Sequence, residues 1–374
     1  MMKKILFLTG TRADFGKLKP LIVRAEALDD VEVFVFVTGM HMMRKYGYTH
    51  MEVEYLNLPH RIHGYVNQNE ADTMDTVLAK TVSGLSDYVK EVRPDMIVVH
   101  GDRVEALAGA SVGSLNNILV AHVEGGEVSG TVDELIRHAV SKLSHVHFVS
   151  NDQARARLLQ LGETDESIFV IGSPDIDVMA SGDLPGIDEV RSRYEFDFAD
   201  YGVVLFHSVT TDLENLPRHV NAMVEALEAS GNNHVVVHPN NDPGNEIIRK
   251  AYERLEGNPR FRFYPSMRFE YFLSLLKHAD YMVGNSSAGI REAPFYGVPS
   301  IDLGHRQSNR GTAASLMHVD FDRDAILAAI QSAPSLRGNP CADFGSGDSA
   351  EQFAAALTDD AFWQRSTQKY FVDM

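Results

Sequence analysis

Short runs of apolar residues recur along almost the whole chain, and stretches with helical periodicity separate them. The runs are rich in Val, Ile and Leu, as in KILFLTG and DMIVVHG, which is typical of strands buried on both faces of a parallel sheet. The predicted strands lie at about 4–9, 31–37, 95–100, 118–123, 146–149, 168–171, 202–207, 234–238, 261–264, 280–284 and 298–301. The predicted helices include 103–115, 132–143, 151–161, 212–229 and 268–278. Helices alternating with such strands predict a doubly wound α/β fold.

The alternation breaks near 180–200, where no strand is evident, and a new series begins at Tyr201. This break disfavours a single barrel of eleven strands, and 374 residues suit two domains. We therefore predict two Rossmann-like doubly wound domains with a cleft between them. The first spans 1–185 and carries the catalytic carboxylates, and the second spans 186–350. Residues 351–374 form a C-terminal helix that can cross back to the first domain.

Charge and cysteine content limit the function. With 34 Lys and Arg against 52 Asp and Glu, the net charge is −18, which disfavours nucleic acid and anionic membrane as partners. The apolar runs fall well short of the roughly 20 residues of a membrane span. MMKKILFLTG lacks a small-residue cleavage site, so we interpret it as a first buried strand. Cys341 is the single cysteine, which fits a cytoplasmic protein. We interpret the HxH pair at 145–147 as core histidines without a metal.

Polar or glycine-containing segments follow several of the predicted strands. Ligands of open parallel sheets bind beyond the carboxyl ends of the strands, so these segments are candidate functional sites. They are GTRADFGK at 10–17, HGDR at 100–103, HVEGGE at 122–127, GTVDELIRH at 130–138, HSVTTD at 207–212, GNSSAGIRE at 284–292 and GHRQ at 304–307.

Three of the segments suit a phosphate group. After the first strand, Arg12 could hold a phosphate through two hydrogen bonds, and the following helix would offer N–H groups to an anion; the alternative is a simple strand–helix turn. In the GNSSAGIRE segment, serine hydroxyls and N–H groups would converge at a helix start. Glu292, a turn into that helix, could bind ribose hydroxyls, and Arg306 offers another guanidinium.

Other segments suit acid–base chemistry. Asp102, at a strand end between His and Arg, is a candidate acid or base, or else caps the next helix. Glu124 precedes two glycines that allow a ligand close to the backbone. His207 ends a strand, although it could be incidental beside a capped helix.

The helical segment at 132–143 places two pairs of residues on common faces. A spacing of four residues brings Asp133 beside Arg137 and Glu134 beside His138. Surface ion pairing is the usual reason for such spacing, so the segment becomes a candidate site only together with the other strand ends.

The chain resembles the hydrolysing UDP-N-acetylglucosamine 2-epimerases of bacterial sialic acid synthesis and the epimerase half of the bifunctional animal enzyme. The motifs that carry this resemblance are, in order, GTRADFGKL, HGDR, HVEGGEVSGTVDELIRH, GSPD, HxVTT and GNSSAGIRE. The resemblance covers about residues 3–318. GTRADFG and HVEGGE with GTVDELIRH distinguish it from the non-hydrolysing epimerases. One departure is Ser208, where relatives often have proline.

The resemblance implies the GT-B arrangement, with UDP bound mainly by the second domain, and a reaction that eliminates UDP and hydrates a glucal to give N-acetylmannosamine. It implies catalytic roles for Asp102, Glu124, Asp133 and His207. It implies substrate binding by Arg12, Lys17, Arg103, Arg137, His138, Ser286, Ser287, Gly289, Glu292 and Arg306. As a hypothesis, Asp102 and Glu124 transfer protons and Asp133 activates water; which carboxylate is the base stays open. The resemblance implies no metal or redox cofactor. It implies that the protein forms a homodimer or homotetramer.

Three alternatives share these motifs. The same reaction could act on UDP-N,N′-diacetylbacillosamine, with the loop MHMMRKYGYTH at 40–50 as a wall for a deoxy sugar. A GT-B glycosyltransferase would share the fold but need no acidic cluster. A non-catalytic sugar-nucleotide sensor would have no reason to keep the candidate acid–base residues.

Overall fold

The computed structural model describes residues 2–128, 132–240, 242–308, 310–311 and 313–373. Within this part of the chain there are two compact units. Unit 1 takes in the chain up to Glu127, Asp133–Ala180 and the chain from Phe344 onward. Unit 2 takes in Ser181–Asp343 together with the short segment Val128–Val132. The borders predicted from sequence were 185 and 350.

Unit 1 contains a seven-stranded parallel sheet in the order β3-β2-β1-β4-β5-β6-β7. Its strands are β1 (Lys3–Thr9), β2 (Val31–Val37), β3 (Ile62–Gly64), β4 (Met96–His100), β5 (Leu119–Val123), β6 (Val146–Val149) and β7 (Ile168–Val170). The helices up to Ala180 are α1 (Arg12–Glu26), α2 (His50–Glu54), α3 (Met74–Val92), α4 (Val104–Leu115), α5 (Val132–Leu143), α6 (Asp152–Gln160) and α7 (Pro174–Ala180).

Unit 2 contains a six-stranded parallel sheet in the order β10-β9-β8-β11-β12-β13. Its strands are β8 (Gly202–Leu205), β9 (His234–Val237), β10 (Phe261–Tyr264), β11 (Tyr281–Gly284), β12 (Ser300–Leu303) and β13 (Leu316–Val319). Its helices are α8 (Ile187–Tyr194), α9 (Leu216–Ser230), α10 (Asn245–Tyr252), α11 (Phe269–His278), α12 (Glu292–Phe295) and α13 (Arg323–Ser332).

The strands of unit 1 are apolar at successive positions because helices cover both faces of the sheet. Leu6 and Phe7 are neighbours in β1, both are fully buried, and they belong to cores on opposite faces. Unit 2 has the same construction, with separate cores on the two faces of its sheet. Continuous apolar runs are required for this arrangement, which is why the central strands could be predicted.

The C-terminal residues of the described chain pack onto unit 1. They form α14 (Ser349–Leu357) and α15 (Asp360–Trp363) in place of the single helix predicted for 351–374, which is wrong in extent. The Asp359 side chain accepts a hydrogen bond from the Ala361 N–H and so begins a second helix. The ring centroid of Phe353 lies 6.2 Å from that of Phe7 and 4.8 Å from that of Phe148, which anchors α14 in the unit 1 core.

Small residues on α4 bring this helix close to its own sheet. A Cβ atom on Gly109 would lie 2.6 Å from Val99, and one on Gly113 would lie 2.3 Å from Val120. The glycines of α4 therefore let this helix pack closely against the sheet of unit 1.

Each unit buries a histidine that we expect to make the protein sensitive to acid. Burial lowers the pKa of His122 in unit 1 and of His234 in unit 2 to about 3, from an ordinary value near 6.5. The unfolded chain then binds protons that the folded chain excludes, so stability is full above about pH 6.5 and falls as the pH drops toward 3. At about 1.4 kcal/mol per pH unit, each histidine costs about 2 kcal/mol at pH 5.

Urea unfolding at pH 7.5 and at pH 5 measures this loss. The His234→Gln variant removes one titrating group, so we expect its stability to depend less steeply on pH than that of the wild type. Equal slopes for the two proteins would contradict the assignment.

Candidate functional site

The carboxyl ends of β1, β4, β5 and β7 meet at one edge of the unit 1 sheet. Most of the candidate residues of the N-terminal half are on the loops and helices that follow these strands. They are Arg12, Lys17, Asp102, Arg103, Glu124, Asp133, Arg137 and His138. Gly130 and Thr131 of the predicted GTVDELIRH segment lie outside the described residues.

Arg137 joins two candidate carboxylate loops. Its guanidinium donates through Nη2 to Oδ2 of Asp102 and through Nη1, at 2.9 Å, to the backbone carbonyl of Glu124. The arginine is 3% exposed, while the Asp102 side chain is 25% exposed. Helix α4 begins at Val104 with no side-chain cap, so the capping alternative for Asp102 is not what the structure contains. A buried cation thus orients a partly exposed carboxylate.

A buried histidine fixes the backbone beside Asp102. Nε2 of His122 lies 2.8 Å from the Gly101 carbonyl, and Nδ1 lies 3.0 Å from Oγ of Ser141. Burial keeps the pKa of His122 at about 3, so the ring is neutral and its proton is on Nε2, because a carbonyl can only accept. Gly101 has φ +71°, a conformation that glycine adopts readily.

Glu124 is almost fully buried among polar partners. Its Oε1 accepts a hydrogen bond from Ser173 Oγ and lies 3.4 Å from Nζ of Lys17. Its Oε2 lies 3.0 Å from Nε2 of His100. Glu124 itself has φ +63°, uncommon for a residue with a side chain and typical of functional positions. This geometry supports a carboxylate held in one orientation.

Ser173 and Asp175 were not among the predicted site residues. Both follow β7, and Asp175 Oδ2 lies 3.3 Å from Nζ of Lys17. Their signal was present in the GSPD motif at 172–175, which occupies a strand end like the other candidate segments.

The turn after β1 is organised by its own acid. Asp14 accepts from the backbone N–H groups of Gly10, at 2.9 Å, and Thr11, at 3.0 Å, and Thr11 caps α1 in return. These two N–H groups are therefore occupied within the turn, and the binding of an anion by the N–H groups of the following helix stays a prediction. Arg12 makes two hydrogen bonds to Glu52, at 3.0 and 2.7 Å, so its guanidinium is held beside the loop of α2.

Three more candidates lie on α5 or directly before α4. Nε2 of His138 lies 3.4 Å from Oε1 of Glu134, the pair that the spacing of four residues predicted. Asp133 lies in the first turn of α5 and is partly exposed. Nε of Arg103 donates to the buried Glu105 at 3.3 Å. The predicted role of Asp133 in activating water stays a prediction.

In unit 2, a buried asparagine holds the backbone of His207. The side chain of Asn285 accepts from the His207 N–H at 2.7 Å and donates to the His207 carbonyl at 2.9 Å. Nδ1 of His207 accepts from the Asn240 N–H at 3.2 Å. Burial and the nearby charge of Arg306 lower the pKa of His207 to about 3, so this ring is neutral. Asn285 lies in a segment that the sequence marked as a candidate, but its hydrogen bonds to His207 were not predicted.

The predicted phosphate cradle differs in one respect from its expected form. The residues after β11 make a single 3₁₀ turn, Ser287–Gly289, capped by Ser286, and α12 begins at Glu292. The predicted continuous helix start is therefore wrong, and Glu292 is the first residue of a four-residue helix. Gly289 serves packing, because a Cβ there would lie 2.5 Å from Ser300 Oγ.

Arg306 is tied to the same loop as the serines. Its Nη1 donates to the Asn285 carbonyl at 3.1 Å, and Gln307 donates to the same oxygen at 2.9 Å. The candidates of the C-terminal half, His207, Ser286, Ser287, Gly289, Glu292 and Arg306, therefore belong to loops at one edge of the unit 2 sheet.

A metal site and a membrane-spanning helix are both absent from the described residues. No group of three or more His, Cys, Asp or Glu side chains among them could hold a metal ion. His147 instead lies 2.9 Å from buried Glu163. None of the described helices has both the length and the apolar character that crossing a bilayer requires.

Two doubly wound parallel sheets with polar loops at the carboxyl ends of their strands define the GT-B class of α/β proteins. A family model described as UDP-N-acetylglucosamine 2-epimerase matches residues 24–358. The chain therefore belongs to the UDP-N-acetylglucosamine 2-epimerase family, which confirms the resemblance and the predicted fold class. The cleft between the domains stays a prediction.

Individual relatives agree with this assignment. A UDP-N-acetylglucosamine 2-epimerase of Neisseria meningitidis serogroup B is 50% identical over 100% of both chains. A UDP-N,N′-diacetylbacillosamine 2-epimerase (hydrolyzing) of Legionella pneumophila is 32% identical over 94% of each. The crystal structure of a Neisseria meningitidis UDP-GlcNAc 2-epimerase bound to UDP-GlcNAc has a TM-score of 0.81 at 18% identity, covering 95% of this chain and 99% of that one, and so shares the fold.

Proposed function

We propose that this chain is a hydrolysing UDP-N-acetylglucosamine 2-epimerase, which converts UDP-N-acetylglucosamine and water to N-acetylmannosamine and UDP. The observation that carries the proposal is the pair of carboxylate loops, those of Asp102 and Glu124, joined by buried Arg137 at one sheet edge. Inversion at C2 requires a proton to leave one face of the sugar and another to arrive on the opposite face, and two acid–base groups meet that requirement.

The proposed reaction has two stages, elimination of UDP and addition of water. A carboxylate takes the C2 proton while the C1–O bond breaks, so that UDP leaves with the bonding electrons and a C1=C2 double bond forms. Water then adds at C1, and a second acid delivers a proton to C2 from the other face. The C2 hydrogen is only weakly acidic, so its removal must be coupled to departure of UDP. No metal or redox cofactor is needed for either stage.

We assign proton transfer to Asp102 and Glu124 and the activation of water to Asp133. Arg137 and Lys17 supply positive charge that favours the ionised carboxylates. The partly exposed Asp102 can meet a substrate, while the neutral ring of His207 can donate from Nε2, because Nδ1 accepts from Asn240.

We assign UDP binding to the loops of unit 2. Ser286 and Ser287 offer hydroxyls and N–H groups, Glu292 offers a carboxylate for ribose hydroxyls, and Arg306 offers a cation that stabilises charge on the leaving diphosphate. Arg12, held by Glu52, would add a second guanidinium. N-acetylmannosamine is the sugar from which sialic acid synthesis starts, so the proposed reaction is the first step of that pathway, carried out in the cytoplasm by a homodimer or homotetramer.

The second candidate substrate is UDP-N,N′-diacetylbacillosamine. It is favoured by the Legionella relative, and disfavoured by the higher identity, 50% against 32%, of the Neisseria N-acetylglucosamine relative. In the loop at 40–50, His41 is buried between Thr9, at 3.0 Å, and Thr49, at 2.6 Å, so part of this loop serves packing rather than recognition.

The test incubates purified protein separately with each UDP-sugar, without metal or acceptor. Anion-exchange chromatography follows UDP, and proton NMR identifies the sugar. We expect N-acetylmannosamine and UDP in equal amounts, with at least tenfold greater kcat/KM for UDP-N-acetylglucosamine. Preference for the diacetamido sugar would change the substrate assignment. UDP-N-acetylmannosamine without free UDP would identify a non-hydrolysing epimerase, and binding without turnover would favour a glycosyltransferase or a sensor.

A further inference from the structure

One buried cation lies between two buried carboxylates in unit 1. Nζ of Lys17 is 3.4 Å from Oε1 of Glu124 and 3.3 Å from Oδ2 of Asp175. Asp175 is fully buried, and Lys17 and Glu124 are 8% and 3% exposed. Charges in such surroundings are weakly screened, so each of the three acts strongly on the other two.

The turn after β7 fixes the second carboxylate in place. The N–H of Ser173 donates to the Phe344 carbonyl at 2.7 Å, and the Ser173 hydroxyl donates to Oε1 of Glu124. Asp175 is two residues further on, and its Oδ1 accepts from the Ile176 N–H at 3.1 Å. The same turn therefore supplies a donor to Glu124 and a counter-charge to the lysine that contacts Glu124.

The second carboxylate changes what Lys17 does to Glu124. A lone ammonium beside a carboxylate stabilises its anion and weakens it as a proton acceptor. A second negative charge beside the ammonium offsets this effect. Other groups that contact Glu124 include His100, with Nε2 3.0 Å from Oε2, and Arg137, which donates to its backbone carbonyl.

We propose that Asp175 is a positioning residue that acts through Lys17 to keep Glu124 able to accept and release a proton during turnover. Asp175 need not touch the substrate for this role. The inference rests on the proposed function, because that function gives Glu124 a proton to transfer. It adds a residue of the GSPD motif to the residues on which the reaction depends.

The Asp175→Asn variant tests this role through the pH dependence of kcat. Removal of the negative charge leaves the positive charge of Lys17 beside Glu124 without this offset, so Glu124 should lose its proton more easily. We expect the limb of the pH profile that reports Glu124 to move to lower pH by about one unit, with KM within twofold of the wild type. The Lys17→Met/Asp175→Asn double variant removes both charges, and we expect its limb to lie between those of the two single variants, because the two charges act on Glu124 with opposite sign.

Asp177→Asn is the matched control, two residues away on the same helix. Asp177 accepts from the N–H groups of Ser349, at 2.9 Å, and Ala350, at 2.7 Å, and so holds α14 rather than Lys17. We expect this variant to lose stability and keep the wild-type pH profile. An equal displacement in both variants would show a general structural effect and overturn the proposal.

A second readout does not depend on turnover. In protein labelled with ¹³C at the glutamate carboxyl carbon, the Glu124 signal is the one that Glu124→Gln removes. We expect its titration midpoint to move to lower pH in Asp175→Asn and not in Asp177→Asn. An unmoved midpoint would overturn the inference even if the wild type hydrolyses UDP-N-acetylglucosamine. A wild type that releases no UDP would overturn the proposed function and leave this measurement decisive for the charge coupling.

Discussion

Replacement of Asp102 by Asn is expected to lower kcat for UDP release about 10³-fold, within the range that general acid–base groups contribute. The amide has nearly the same shape but can neither take the C2 proton nor return one. It also leaves the buried guanidinium of Arg137 without the charge of its partner at that position. Asp102 is not among the residues assigned to UDP binding, so affinity for UDP should stay within about threefold in titration calorimetry.

Asp95→Asn is the control for this substitution. Asp95 directly precedes β4, whereas Asp102 follows the end of that strand. The Asp95 side chain accepts a hydrogen bond from the Lys4 N–H at 2.9 Å. The same change of carboxylate to amide should leave kcat within twofold there. Turnover of Asp102→Asn within a few fold of the wild type would show that Asp102 transfers no proton.

Replacement of Gly284 by Ala is expected to have the largest effect on stability. Gly284 ends β11 beside Leu205 of β8, with φ +145°, and a Cβ there would lie 2.0 Å from the Leu205 carbonyl oxygen. The clash is with backbone on a central strand, so no side chain can move aside. The next residue, Asn285, would also be displaced from its two hydrogen bonds to His207. We expect a loss of about 4 kcal/mol or more, in the range of severe core defects.

Gly231→Ala separates the clash from the backbone conformation alone. Gly231 has φ +68°, and no atom lies within 4 Å of a Cβ built there. Its replacement should cost about 1 kcal/mol, the strain of a side chain in the left-handed region. Urea unfolding followed by far-ultraviolet circular dichroism compares the two variants. Equal stability would mean that the strand end tolerates a side chain and that Gly284 is not required by packing.

Most of the strands could be predicted from the sequence because the central strands are buried on both faces of their sheets. The two strands that it missed, β3 and β13, lie at sheet edges, span Ile62–Gly64 and Leu316–Val319, and are partly exposed. Edge strands need no continuous apolar run, so the pattern that located the others is absent from them. The short α12 differs from the predicted helix because Gly289 and Gly297 lie close on either side of it.

The sequence predicted which strand ends carry the candidate residues, but not which side chains those residues contact. Glu124 and Asp102 were recognisable because each follows an apolar run. Ion pairs such as Lys17 with Asp175 join residues that are far apart in the sequence, and no local pattern links them. The hydrogen bonds between Asn285 and His207 could not be predicted for the same reason, since β8 and β11 become neighbours only in the folded sheet.

Hydrolysis of UDP-N-acetylglucosamine in ²H₂¹⁸O tests the proposed reaction most directly. Mass spectrometry of UDP and proton NMR of the sugar follow the two isotopes. Elimination breaks the C1–O bond and returns a solvent proton to C2, so we expect UDP without ¹⁸O and N-acetylmannosamine with one deuterium at C2. UDP that carries ¹⁸O would indicate attack of water at phosphorus. A sugar that keeps its original hydrogen at C2 would contradict the proposed epimerisation.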